Sequence, residues 1–260
     1  MSSGSYKPLQ NGIEQKVSKN IDYHEFKPNH VYSDLVHCFW SLKSKELLNN
    51  DFTYIVLPDA CIDIVFDVKN SLEPIIMTPK MEAETINLGK EFHYVGIRFK
   101  PGVFSKQLNI LDVIGEQHSL KDIISLQVPA LNNNSYRRHN KNMIVELQAV
   151  VQKIVDAQIL KRNTYIENII RGLQYGLTVG AIAAKLTVSE RQLRRGVQQQ
   201  TGFSPVQLRR VIRFQSVLSS GEPLLRFADQ SHLIKEFKSV TGRSYGSYLS
   251  SNVDVRKVQF

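Results

Sequence analysis

Ser189, Arg191, Gln192, Arg194 and Arg195 crowd into one short stretch of the chain, and their side chains are the types that bond guanine edges, adenine edges and phosphate oxygens. The chemistry they offer is non-covalent recognition of a nucleic acid. Ser189 stands three residues before Gln192. At that spacing a hydroxyl and an amide can each satisfy an orphan backbone donor at a helix start. In the helix so begun, Leu193, Val197 and Gln200 point one way, while Arg191, Gln192, Arg194, Arg195 and Gln198 spread over the remaining surface. No other group of residues has a spacing that suits catalysis. His24, His30, His37, His93, Cys38 and Cys61 are not at zinc-module spacings and read as scattered core and surface residues. Asp59, Asp63 and Asp67 recur at every fourth position and read as a solvated or turn-capping set. The pair Gly89-Lys90 lacks a phosphate-loop context. We therefore expect a protein that is not an enzyme and that carries no cofactor or metal.

The elements that must hold the arginines can be read from the apolar pattern. Val179, Ile182, Ala183 and Leu186 recur at steps of three and four, Thr187 and Val188 break the pattern, and the second amphipathic run then begins. This predicts a helix-turn-helix with a supporting helix over Thr178–Leu208. A solvated helical hairpin with a basic face is the alternative, and the charge distribution weighs against it. Residues 161–260 hold 16 Lys+Arg against 6 Asp+Glu, a net of +10, whereas residues 1–160 hold 17 against 18, a net of −1. A chain whose positive excess lies wholly in its helix-turn-helix half suits a polyanion, with counterion release supplying nonspecific affinity.

With 260 residues, 42% of them hydrophobic and 22% charged, the chain can form two domains with a core each. No apolar run is long enough for a membrane span, and the first residues lack the apolar core of a secretory signal, so a soluble, cytoplasmic protein with no membrane partner is expected. Two cysteines cannot build a disulfide framework, and reduced thiols are expected. Residues 1–20 read as a flexible tail. Residues 21–139 read as a β-rich domain. Its short apolar runs LVHCFWSL, YIVLPDACIDIVFDV, PIIMTP and YVGIRFKPG are punctuated by Pro58, Glu73-Pro74, Thr78-Pro79 and Lys100-Pro101-Gly102. Within them Ile62, Ile64, Phe66 and Val68 alternate with Asp63, Val65 and Asp67, a period of two with one face buried more fully than the other. VFSKQLNI and Ser119–Leu126 read as short helices, and the polar cluster 132–142 as an exposed loop.

Residues 140–162 form a linker containing a helix over Met143–Leu160, in which Ile144, Leu147, Val151 and Ile154 make a short a/d seam. That seam is either a dimer interface or the inner face of an ordinary core helix. A further helix, Tyr165–Gln174, leads through Gly176 into the helix-turn-helix of a C-terminal region at 163–252.

The segments LTVGAIAAKLTVSERQLRRGVQQQTGFSPVQLRRVIRFQ and FADQSHLIKEFKSVTGRSYGSYL resemble the two halves of the DNA-binding domain of AraC/XylS-type transcriptional regulators. The N-terminal motifs resemble the β-rich sensor-like domain found in one subgroup of that family. The resemblance implies an α+β protein, a β-rich N-terminal domain followed by an all-α helix-turn-helix domain. It implies two helix-turn-helix units joined by a central helix at about Ser204–Ser219. The first recognition helix would present Arg191, Gln192, Arg194 and Arg195, and the second Gln230, Ser231, His232 and Lys235. Double-stranded DNA is the implied partner, with a small-molecule or protein effector at the N-terminal domain; because a single recognition helix offers few base contacts, binding as a homodimer is expected.

The sequence departs from the family between the central helix and FADQSHL, where only Gly221–Arg226 is available. Six residues span at most about 20 Å and cannot form the usual supporting helix, so a truncated second unit is expected. Gly196 lies inside the first recognition helix at a cost of about 1 kcal/mol relative to Ala, and Val197 replaces a larger anchor. Ala60 stands where the family pattern has glycine, a position where a positive φ would burden alanine. These departures keep a second expectation open, an interaction module with a degenerate DNA-binding half that modulates another regulator.

Overall fold

The computed structural model describes residues 6–10, 20–70, 73–104, 110, 117–124, 140–220, 230–242 and 244. The N-terminal part is built on an antiparallel six-stranded sheet in the order β1-β2-β7-β4-β5-β8, with a separate two-stranded ribbon, β3-β6. The strands are β1 Ile21–Phe26, β2 Val36–Ser44, β3 Thr53–Val56, β4 Ile62–Asp67, β5 Ile75–Met77, β6 Glu84–Asn87, β7 His93–Phe99 and β8 Gln117–Ser119. Helices follow: α1 Leu120–Ile124, α2 Asn140–Asp156, α3 Thr164–Gln174, α4 Val179–Lys185, α5 Glu190–Thr201, α6 Pro205–Ser220 and α7 Gln230–Thr241. The architecture is therefore α+β, a β-rich N-terminal region followed by a helical C-terminal part. No helix among the described residues is long and apolar enough to cross a membrane.

Period-two alternation places two different chemistries on the two faces of the sheet. Ile62, Ile64 and Phe66 of β4, with Ile97 and Phe99 of β7 and Phe39 of β2, build one core. Asp63 and Val65, with Trp40 and Leu42, lie on the opposite face, toward the ribbon. The first face is closed by α2, whose Met143, Leu147, Val150, Val151 and Ile154 pack into that core. Leu147, Val151 and Ile154 are fully buried inside the chain, and Ile144 packs partly against the same cluster. The expected dimer interface at Ile144, Leu147, Val151 and Ile154 is thus corrected. An a/d seam reports only that one helix face is apolar, and here the sheet of the same chain covers it. The outward face of α2 carries the exposed Val145.

Helices α3 to α6 share a second core, with Ile166, Ile169, Ile170 and Leu173 of α3 contributing an i, i+3, i+4, i+7 stripe. Asn163 caps α3, its side chain accepting from the Ile166 amide at 3.1 Å. The expected helix at Tyr165–Gln174 is found there. The central helix begins at Pro205, a residue preorganised for a first helical turn, after a reciprocal pair of bonds between Ser204 and Gln207.

Of the expected flexible tail, residues 1–5 and 11–19 lie outside the described residues, while residues 6–10 are bonded to the rest of the chain. The Tyr6 hydroxyl donates to the Asp59 carbonyl at 2.9 Å, and the Gln10 side chain accepts from the Leu57 amide at 2.8 Å. Gln10 is buried. A polar composition argues for a loose end only while the chain has no distant backbone to bond, and here it finds one.

Candidate functional site

The residues expected to read DNA lie on α5, and local chemistry fixes that helix. Ser189 is its N-cap, and the capping box with Gln192 is complete: the Gln192 amide N–H donates to the Ser189 hydroxyl at 3.2 Å, and the Ser189 N–H donates to the Gln192 Oε1 at 2.9 Å. Gly202, at φ +77°, ends the helix in the left-handed conformation. The preceding α4 is capped by Thr178, whose hydroxyl accepts from the Ala181 amide at 3.1 Å. The turn between α4 and α5 passes through Thr187 at φ +55°, and the Val188 N–H closes it on the Ala183 carbonyl at 3.1 Å.

Leu193 and Val197 are buried in the core with Ile182 and Phe203, which sets the rotation of α5. Arg191, Gln192, Arg194, Arg195 and Gln198 consequently face solvent. Arg194 is engaged by Glu190 one turn back, at 3.1 Å. Arg191 and Arg195 lie one turn apart on the exposed side and have no partner among the described residues. Gln192 is partly committed, because capping takes its carbonyl oxygen and leaves its NH2 to the outside. Gln200 points inward as expected, accepting from the Asn163 side-chain amide.

Gly196 has a packing reason. A Cβ there would lie 3.0 Å from Cε1 of the Tyr165 ring, so the glycine makes room for α3 against α5.

The second expected set lies on α7. Gln230, Ser231 and His232 fall in the first turn of α7, and Lys235 is exposed on that helix. The other end of α7 is turned toward the β-rich region. Phe237 and Val240 pack with Phe214 of α6 and Leu57, and the Ala83 N–H donates to the Val240 carbonyl at 2.8 Å. The shortened stretch Gly221–Arg226 lies outside the described residues.

A second feature, unforeseen from the sequence, lies between the sheet and the ribbon. A cavity of about 150 Å³ is bounded by apolar side chains such as Leu42, Val65 and Met77 and by the aromatic rings of Trp40, Tyr54 and Tyr94. Its polar wall is an ion cluster. Arg98, 3% exposed, donates to both oxygens of Asp63, from Nε at 3.1 Å and Nη2 at 2.9 Å. The same guanidinium lies 3.3 Å from Asp59 Oδ2 and 3.4 Å from Glu25 Oε1. Trp40 Nε1 also donates to Asp63 at 3.0 Å. The indole takes this position because its register partner is Gly96, where a Cβ would meet the ring at 2.3 Å. Burial pushes the Asp63 carboxyl up to about 6 against the pull of Arg98, and Asp59 adds to the rise.

The aspartate series thus divides. Asp67 caps a turn as expected, accepting from the Lys69 and Asn70 amides. Asp59 also caps, accepting from the Cys61 amide at 2.9 Å, but with Asp63 it is withdrawn from solvent into the cluster. The missed signal was Arg98, an arginine at alternating spacing inside the apolar run YVGIRF.

Glu25, His37 and Cys38 also come together, their ligating atoms within 4.8 Å of one another. A register shift between Val36 and Cys38 lets neighbouring residues of β2 approach the same carboxylate. Glu25 is already bonded by the Tyr23 hydroxyl at 2.6 Å and paired with Arg98, which leaves its carboxylate engaged on both sides. Burial pushes both cysteine thiols above their ordinary range, the state of inert core thiols.

Among curated proteins none matches the chain. Residues 24–111, which carry the second half of β1, strands β2 to β7 and the whole ion cluster, match the model of a family described as a domain of unknown function, DUF6597.

Proposed function

We propose that the protein is a sequence-specific DNA-binding transcriptional regulator of the AraC/XylS type. In this reading α5 enters the major groove while α4 lies across the backbone, and the β-rich region is the effector-binding half. The observation that carries it is the geometry of α5, a capped helix locked by Leu193 and Val197 with Arg191 and Arg195 held outward and without a partner among the described residues. Three arginines around a helix start can divide between base edges and phosphates, and the +10 charge of residues 161–260 supplies the nonspecific attraction. One such helix offers few base contacts, so the working form on DNA is a homodimer on neighbouring half-sites. The site is read by selecting duplexes from a random pool and footprinting the winner at two salt concentrations. Selective protection is expected, and equal binding to selected and random duplex overturns the reading.

The docking of Phe237 and Val240 against Leu57 favours a second reading for α7 alone. That helix then acts as an internal contact between the two halves, in an interaction module rather than as a second reader.

A further inference from the structure

We propose that the cavity between the six-stranded sheet and the β3-β6 ribbon takes a small organic cation, a protonated amine or amidine carried on an apolar body about the size of a benzene ring. The inference rests on reading the β-rich region as the effector-binding half. Size comes first. A cavity of about 150 Å³ is the volume that accommodates benzene in an apolar protein interior. Walls of Leu42, Val65, Met77 and aromatic rings give an apolar body its burial.

Charge decides the polar end. Two carboxylates, Asp59 and Asp63, face the cavity with one guanidinium, Arg98, leaving a net charge of −1 at that wall. Glu25 on the same guanidinium deepens the deficit to −2. The Lys80 ammonium also borders the cavity, but Glu84 pairs with it. An arginine beside a cavity would ordinarily attract an anionic ligand, yet this one is turned to three carboxylates. An anion brought to this wall would meet uncompensated negative charge.

Hydrogen bonding points the same way. A carboxylate offers about four acceptor positions. Asp59 Oδ1 receives the Cys61 amide and Asp63 Oδ1 the Arg98 Nε, one donor each. Each oxygen retains acceptor capacity. The Gln10 amide, by contrast, spends its donors on Asp59 Oδ2 and the Leu57 carbonyl. The wall therefore asks for a donor bearing positive charge, and an aromatic lining suits a cation.

The test is calorimetric titration of the full chain, without DNA and at neutral pH, with benzylamine, benzyl alcohol and benzoate. Benzylamine is expected to bind about tenfold or more tighter than benzyl alcohol, and benzoate weakest of all. Asp63→Asn should remove about tenfold from benzylamine affinity while leaving benzyl alcohol unchanged. Should that variant fail to fold, Val65→Trp, which fills the cavity, should abolish benzylamine binding. Benzoate or benzyl alcohol binding as tightly as benzylamine overturns the proposal, as does absence of benzylamine binding at about 10 mM. DNA is absent from the measurement. Failure of the regulator reading would appear only in the footprint, and failure of the cation only in the titration.

Discussion

Gln215 of α6 brackets the backbone of Leu9 in both directions: its Oε1 accepts the Leu9 N–H at 2.7 Å, and its Nε2 donates to the Leu9 carbonyl at 3.2 Å. The same amide donates to the Pro58 carbonyl at 2.6 Å, so one buried side chain joins the central helix to the N-terminal segment and to the loop before β4. Gln215→Leu keeps the volume and removes every bond. Orphaning those backbone groups should cost about 1–3 kcal/mol in denaturant unfolding. Faster amide exchange at Leu9 should accompany the loss. Unchanged exchange at Leu9 would show that the segment is held by Tyr6 and Gln10 alone.

Stability and DNA recognition should separate cleanly on α5. Replacing Arg191 and Arg195 together by alanine touches no packed contact, so unfolding free energy should move by no more than about 0.5 kcal/mol while selective DNA binding is lost. Ser189→Ala removes the cap and should cost about 1 kcal/mol. Gln192 belongs to both groups, so its replacement should lower stability and affinity together. Denaturant melts beside gel-shift titrations check all of these.

Gly196 allows a test of packing against propensity. Helix propensity alone gives Gly196→Ala a gain of about 1 kcal/mol. The new methyl would sit 3.0 Å from the Tyr165 ring, and we expect that gain to be cancelled or reversed. In a Tyr165→Ser background the gain should reappear, giving a positive coupling in a double-mutant cycle. Additivity of the two changes would refute the contact.

Acid sensitivity follows from two histidines of the β-rich region. Burial holds His37 and His93 down to about 4, against an ordinary value of 6.5, with neighbouring cations Arg98 and Lys43 respectively adding to the fall. Between those limits the unfolded chain binds more protons than the folded one, so stability should fall as pH drops from about 6.5 to 4. Asp63 opposes this, since its raised value lets the folded state bind its proton first, between about 6 and 3.8. Two groups outweigh one, and a net loss on acidification is expected. His37→Gln with His93→Gln should remove the fall in thermal melts across that window; an unaltered slope would place the acid-sensitive groups elsewhere.

What could be read from the sequence was what neighbours in sequence decide. The capping box of Ser189 and Gln192, the break at Thr187-Val188 and the alternation of Ile62, Ile64 and Phe66 all have their causes within a few residues, and each is found where expected. Ala60 stands out by its type, and it adopts φ +60°, a left-handed conformation costing alanine roughly 1–2 kcal/mol, while packing against the helical core. What stayed hidden depends on partners far along the chain. Gln215 meets Leu9 across 206 positions, and Arg98 meets Asp63 across 35, with no local pattern announcing either. The inward face of α2 was visible, but what covers it was not.

That last point decides where the chain can be cut. Because Leu147, Val151 and Ile154 complete the core of the sheet, the stretch 140–162 belongs structurally to the β-rich region it was expected merely to connect. A fragment ending at residue 139 would bare an apolar sheet face and lose its main helical cover, the situation that drives aggregation. An excised N-terminal fragment must run past Leu160, whose bridge to Phe104 ties the end of this stretch back to the sheet.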